Sequence, residues 1–252
     1  MKHALFLVFL CLGLISAGKS QSVVKDSSLS IPMIGVSAGL NLPTQELQQR
    51  FRHFAQVGGM FQWKTTKNWM WSADAHFLFG KKVNDTTMLD GLLTENRFLI
   101  GADGTLYDVR FLMRGFSAQV RAGRMLMTGW PNRNSGLYAQ AGLGFLQHKI
   151  RLEYERNAPI PALAGEYYKG YDRLSNGLST SLSAGYMFLS NQRLVNFFVA
   201  VDYQAAFTKN RRSWNYDTNS ADTHLRSDGY FSVRLGWIIP MYRRVVQDYY
   251  YF

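Results

Sequence analysis

Apolar and polar positions alternate with a period of two along residues 177–190, GLSTSLSAGYMFLS. Leu178, Thr180, Leu182, Ala184, Tyr186 and Phe188 fall on one face, and Ser179, Ser181, Ser183 and Gly185 on the other. Successive side chains of a β-strand point to opposite faces, so this spacing predicts a strand. An apolar face ending in aromatics, set against a small polar face, suits a strand of a soluble sandwich. It also suits a membrane-barrel strand, apolar toward lipid and polar toward the lumen. Recurrence of the pattern, and what lies between the copies, separates the two.

Seven further stretches repeat it. Residues 31–42 set Ile34, Val36, Ala38, Leu40 and Leu42 against Gly35, Ser37, Gly39 and Asn41. Residues 53–63 place Ala55, Val57, Phe61 and Trp63 outward and Gln56, Gly58, Met60 and Gln62 inward; in residues 69–80, Trp71, Ala73, Ala75, Phe77 and Phe79 oppose Ser72, Asp74 and His76. Residues 108–127 set Phe116, Ala118, Val120 and Ala122 against Ser117, Gln119, Arg121 and Gly123; residues 136–153 set Leu137, Ala139, Ala141, Leu143 and Phe145 against Gln140, Gly142, Gly144 and His148. In residues 194–209, Phe197, Val199, Val201, Tyr203 and Ala205 oppose Asp202 and Gln204, and in residues 227–242, Phe231, Val233, Leu235, Trp237 and Ile239 oppose Ser232, Arg234 and Gly236.

Eight strands result, and their connections alternate. Short turns follow the second, fourth and sixth strands (64–68, 128–135, 191–193), and longer loops follow the first, third, fifth and seventh (43–52, 81–106, 154–176, 210–226). A barrel in an outer membrane sorts its connections in this way, short on the periplasmic side and long outside, whereas a sandwich has no reason to. The strands also reach the roughly 9–11 residues that cross a bilayer at a tilt. The predicted fold is all-β: a closed antiparallel eight-stranded transmembrane β-barrel over residues 31–242, with both ends of the mature chain in the periplasm. Trp63, Trp69, Trp71, Trp130 and Trp237 all map to the short-turn side, and only Trp214 falls in a long loop. Indole rings favour the membrane interface, so these five predict one aromatic girdle.

Composition changes this picture little. At 252 residues, 47% hydrophobic and 18% charged, the chain suffices for one barrel. A mean hydropathy of -0.16 is ordinary where half of every strand is polar. Residues 1–20 read as a secretory signal peptide: Lys2 and His3, an apolar run from Ala4 to Ile15, then Ser16, Ala17, Gly18 and Ser20. Residues 21–30 form a lead-in and residues 243–252 a periplasmic tail. The single cysteine, Cys11, lies in the leader, leaving neither a disulfide framework nor a thiol nucleophile. The net charge of +11 comes without any nucleic-acid-binding motif, and basic groups at the headgroup level of an anionic leaflet account for it better.

With leader, strand count, loop parity and girdle in place, residues 31–242 resemble the small eight-stranded outer-membrane barrels of the OmpX and OmpA-transmembrane-domain class. The close GWIIPMY and tail YYYF are also similar to PorT-like and PorG-like barrels that accompany type IX secretion. The resemblance implies a terminal aromatic read by the assembly machinery, which Phe252 would supply; Pro240, Arg243 and Arg244 separate it from the last strand, so residues 245–252 are either a tail or a sign of a different last register.

Candidate chemistry divides into three groups. The inward face collects Asp74, His76, Arg121, His148, Asp202 and Arg234, either an ion or proton path or a satisfied polar plug. Eight strands leave an interior that side chains just fill, and unpaired buried charges are costly, so a plug is expected. In the last outer loop Asp222 and His224 offer an acid–base couple, but no fixed groove of further carboxylates accompanies them, and a solvated loop is expected. The histidines lack metal-ligand spacing and Gly142-Leu-Gly144 is half a nucleotide fingerprint inside a strand, so neither metal nor cofactor is implied. The long loops gather Tyr167, Tyr168 and Tyr171, and Arg211, Arg212, Trp214 and Tyr216, residue types that dominate interface hot spots. They point to docking of another envelope protein, or to rim packing and contact with lipopolysaccharide phosphates. The expected function is non-enzymatic: a structural or docking component of an envelope complex. The alternatives are a freestanding membrane-stabilising or lipopolysaccharide-binding barrel and, further off, a surface hydrolase.

Overall fold

The alternation resolves into eight long strands, each antiparallel to its neighbours. In this computed structural model, which describes residues 28–155, 157–190 and 195–241, they are β1 (Ile31–Thr44), β2 (Phe54–Lys64), β3 (Trp69–Gly80), β6 (Arg110–Thr128), β7 (Gly136–Glu153), β8 (Ser175–Leu189), β9 (Asn196–Asn210) and β10 (Leu225–Pro240). Between β3 and β6, β4 (Phe98–Ile100) and β5 (Leu106–Asp108) form a small hairpin of their own, and α1 (Gln45–Arg50) follows β1. The leader, residues 21–27 of the lead-in, Arg156, the whole 191–193 turn with Leu194, Tyr242 and the tail to Phe252 lie outside the described residues.

The eight strands close in the order β1-β10-β9-β8-β7-β6-β3-β2. Closure is made by β1, which pairs with β2 on one side (Ile31 opposite Lys64) and with β10 on the other (Met33 opposite Pro240). No sheet edge is left in the ring, which is how a barrel satisfies every backbone donor and acceptor without water. At Gly58 the neighbouring strand comes so close that a Cβ would stand 1.9 Å from the Ala75 carbonyl oxygen, so only glycine fits.

The outer surface is apolar along the middle of every strand. Leu40, Val57, Phe77, Val120, Leu143, Leu178, Val201 and Leu235 are all exposed there, an arrangement that a transmembrane exterior requires. Inside, three layers are stacked. At the short-turn end an apolar cluster contains five methionines (Met33, Met60, Met70, Met125, Met187) with Ile31, Tyr138, Phe198 and Ile238. The middle layer is polar and charged. At the long-loop end a second apolar cluster joins barrel residues Phe54, Leu78, Met113, Leu146 and Tyr230 to loop residues Leu47, Phe51, Met88, Leu89, Leu99, Ile160 and Leu163. The long loops therefore fold down as a cap over the mouth.

Several sequence expectations need correction. The stretch 81–106, read as one polar loop, carries the β4–β5 hairpin, and its Met88, Leu89 and Leu99 are buried in the cap. Residue 108 ends β5, and the fourth barrel strand begins at Arg110. In the first loop, Pro43 and Thr44 prolong β1, and residues 45–50 are helical. These departures share a cause: once a loop packs on the barrel mouth, its sparse apolar side chains gain a core, and burial overrides local propensity.

Candidate functional site

Alternation places Asp74 and His76 two residues apart on the inward face of β3, Arg121 on β6, Asp202 on β9 and Arg234 on β10, and the curl of the barrel brings them together. Each is almost fully buried. Arg121 is ion-paired with Asp74 and donates from Nε to Ser181 Oγ at 3.0 Å. His76 Nδ1 lies 3.1 Å from Asp74 Oδ2, and its Nε2 is hydrogen-bonded to Ser37 Oγ at 2.7 Å. Arg234 makes a bidentate pair with Asp202, Nε to Oδ2 at 2.5 Å and Nη2 to Oδ1 at 2.8 Å; its Nη1 is 3.9 Å from Asp74. The guanidinium also lies over the Phe198 ring, 5.7 Å from its centroid. That ring fills the space above Gly236, where a Cβ would meet it at 1.9 Å. Around the charges runs an amide and hydroxyl web: Gln56 to Ser232 at 2.8 Å, Gln119 to Ser179 at 2.7 Å and Tyr230 to Gln204 at 2.6 Å. The cavity left among them is about 10 Å³, room for no more than about one water. With apolar clusters above and below, this layer is chemically a closed electrostatic joint.

His148 does not join it. Nearer the long-loop end, its Nε2 sits 2.8 Å from Asp228 Oδ2, which also accepts from Thr208 Oγ1 at 2.5 Å, and the Phe51 ring packs edge-on at 5.5 Å. Ser175 is the cross-strand neighbour of His148, but its hydroxyl donates to the Arg173 carbonyl and accepts from Arg50 Nη1 at 3.0 Å. Ser175, His148 and Asp228 are all fully buried beneath the cap, so a serine, histidine and aspartate in one neighbourhood do not make a nucleophile with access to substrate. Asp228 was absent from the sequence expectation, although it shares the parity of Ser232 and Arg234 and could have been found by extending that alternation two pairs toward the loop.

The loop residues proposed for docking are divided by the structure. Arg212 is ion-paired with the buried Asp172, donating from Nε at 2.7 Å, and Arg211 Nε donates to Asn176 at 2.6 Å. Tyr168 and Tyr171 pack against the cap cluster. Tyr216 lies 5.5 Å from Tyr171 and 6.1 Å from Tyr167, with its ring over Gly170. Tyr168, Tyr171, Arg211 and Arg212 thus each have a partner within the chain, and Tyr167, Arg211, Trp214 and Tyr216 are exposed. A bridge that the sequence did not point to ties three loops together: Arg173 pairs with Asp85 on one side and with Asp217, at 2.5 Å, on the other. Asp222 and His224 form no side-chain couple. Asp222 accepts from Arg226 Nη2 at 2.7 Å and from the His224 backbone N–H, while the His224 ring faces Glu46 at 3.5 Å. Partial burial raises the Asp222 carboxyl, but the Arg226 guanidinium outweighs it and the group titrates below the usual carboxylate range.

Trp63, Trp69, Trp71, Trp130 and Trp237 are all exposed on the exterior toward the short turns. Trp63 and Trp71 are direct cross-strand neighbours, and Trp130 lies 5.8 Å from Phe188, which stacks on Phe197 at 4.7 Å. The short-turn mouth is tied by Lys64 Nζ, which donates to Ser28 Oγ at 3.0 Å and to Asn134 Oδ1 at 3.1 Å.

No family model and no curated protein sequence matches the chain. Among solved structures it is similar to Ail, the attachment invasion locus protein of Yersinia pestis, at 9% identity over 84% of this chain and 99% of that one, with a TM-score of 0.41. The same protein has been crystallised in complex with the heparin analogue sucrose octasulfate. The outer membrane protein OprG from Pseudomonas aeruginosa is similar at 12% identity over 86% of this chain and 99% of that one, with a TM-score of 0.39. At these identities the likeness concerns fold alone, and the fold rests on the chain's own strand order: a closed eight-stranded antiparallel barrel.

Proposed function

We propose that the protein resides in a bacterial outer membrane after signal-peptide-dependent export and acts there without catalysis, as a sealed barrel whose ordered loop cap docks another envelope protein. One observation carries the reading: the long loops are not slack closures but a packed unit, cross-braced by Arg173 between Asp85 and Asp217, that holds Tyr167, Trp214 and Tyr216 exposed on its surface. Pre-ordered aromatics lose little conformational freedom on contact, which is what a binding face requires. The acid–base candidates are each engaged internally, which favours a non-enzymatic role over a surface hydrolase.

Photo-crosslinking on intact cells tests this. A crosslinker placed at residue 214 should give one discrete protein adduct, and Tyr167→Ser should reduce it several-fold while heat-modifiable gel mobility of the barrel stays unchanged. A barrel that gives no adduct and purifies alone from mild detergent refutes docking. The freestanding reading would then stand; it is favoured by one specific observation, a cationic cleft on the outer rim.

A further inference from the structure

On the exterior, at the level where the apolar band ends, a cleft of about 770 Å³ opens between the end of β3, the following loop and the start of β6. Five cations line it, Arg52, Lys81, Lys82, Arg110 and Arg114, against a single lining carboxylate, Glu153. Arg110 has an exposed partner in Asp108 at 3.5 Å, and Arg114 Nη1 donates to the Met113 carbonyl at 2.8 Å. Among the described residues, Arg52, Lys81, Lys82 and Arg114 have no carboxylate within 4.0 Å. So many like charges in one concavity repel one another and attract a multivalent anion.

The cleft is built rather than incidental. Arg52 Nε donates to Asn84 Oδ1 at 2.9 Å, the Arg52 backbone N–H to Lys82 O at 3.1 Å, and the Asn84 N–H to Arg50 O at 2.8 Å. These bonds lock the two flanking loops in register. Apolar Phe79, Phe111 and Leu112 also line the cleft. In the strand register, Phe79 stands beside Arg114, and Arg114 beside Lys149; the next outward row toward the band is Phe77 beside Phe116, their rings 6.0 Å apart. Within one step along the strands the surface therefore changes from aromatic to cationic. An isolated phosphate has no use for the aromatic row, and a nucleic acid has none for the lipid-facing side. A molecule with acyl chains beside Phe77 and phosphates among the cations uses both.

We infer that this cleft binds the phosphorylated sugar headgroup of an outer-leaflet glycolipid, with its acyl chains lying on Phe77, Phe79 and Phe116. The inference rests on the membrane placement proposed above and is independent of the docking role. The volume falls in the range of about 300–1,000 Å³ typical of small-molecule sites. The lysines act as point charges on phosphate, and the arginines as forked donors.

Purified barrel in zwitterionic detergent, titrated with bis-phosphorylated lipid A, provides the test, with phosphate-free lipid A and inorganic phosphate as separate arms. The variant Lys81→Gln/Lys82→Gln/Arg114→Gln should bind the bis-phosphorylated lipid at least about tenfold more weakly. The control Lys67→Gln/Arg124→Gln/Arg133→Gln, which removes three exposed cations at the short-turn end, should change it less than about twofold. Removing the lipid's phosphates should weaken binding to the unmodified protein as much as the cleft variant does. Lys81→Arg/Lys82→Arg should retain affinity, which keeps the test decisive should the triple variant fail to fold. Equal losses in cleft and control variants would show general charge attraction and overturn the site. Inorganic phosphate binding as tightly as the lipid would overturn the lipid as occupant. No outcome depends on a protein partner, so failure of the docking reading shows only in the crosslinking experiment.

Discussion

Removing the Arg234 guanidinium should destabilise the barrel more than removing its partner carboxylate. Arg234 and Asp202 are each about 4% exposed and joined by two hydrogen bonds. Breaking a buried pair from one side costs about 3–5 kcal/mol because the survivor stays charged without a partner. The survivors differ here. After Arg234→Met, Asp202 has no other cation within 4.0 Å among the described residues, whereas after Asp202→Leu the guanidinium still has Asp74 at 3.9 Å. The expectation is a loss near 4–5 kcal/mol for Arg234→Met and nearer about 3 kcal/mol for Asp202→Leu. The double variant leaves Asp74 balanced by Arg121, so it should cost less than Arg234→Met alone, a coupling energy of at least about 2 kcal/mol. Urea unfolding of the refolded barrel in detergent, followed by gel mobility and tryptophan fluorescence, measures all four corners of the cycle. Additive losses, or single variants costing under about 1 kcal/mol, would mean that the polar layer is wetter than its geometry implies and would refute the reasoning.

Two other outcomes follow from the same geometry. Planar-bilayer recording should give no steady conductance of porin size, because the lumen narrows to a cavity of about 10 Å³ between two apolar clusters; a stable open level would contradict it. The Asp222–Arg226 contact should loosen in acid: a carboxyl depressed on folding contributes stability above its unfolded value, about 3.9, and loses it as pH falls through the lower folded value. Amide exchange over residues 215–225, corrected for intrinsic rates, should therefore rise below about pH 4, and Asp222→Asn should show the raised exchange already at pH 7. Identical protection in the variant and the parent would count against that contact.

Period two made the barrel legible because both faces carry a signal: an apolar exterior such as Leu178–Leu182–Phe188 and an interior of serines, glutamines and paired charges. The sorting of loops by length then set the up-and-down order. Pairing inside the lumen was legible only as a group. Which carboxylate meets which guanidinium depends on how far the strands are staggered at closure, and no single strand records that. The same limit placed His148 with the central charges, whereas the stagger lifts it to Asp228. Expecting a polar interior throughout also hid the two apolar clusters: Met33, Met70, Met125 and Met187 point inward, so a strand's inner face changes character along its length. In the loops, aromatics and arginines look alike whether they brace the cap, as Tyr168 and Arg212 do, or face outward, as Tyr167 and Trp214 do. Only tertiary packing separates them.

The seam has a consequence for how the molecule comes into being. Met33 pairs with Pro240, so the strand at one end of the ring can be satisfied only by the strand at the other. Contacts between residues so distant in sequence form slowly, since the chain loses loop entropy before it gains any contact. Until β10 arrives, the curled sheet presents two raw edges whose amides and carbonyls find no partner in hydrocarbon. A partly made barrel is therefore both unable to rest in the bilayer and ready to recruit strands from its neighbours. Assembly must hold the chain apart from its copies until the last strand pairs, after which no edge remains to be attacked.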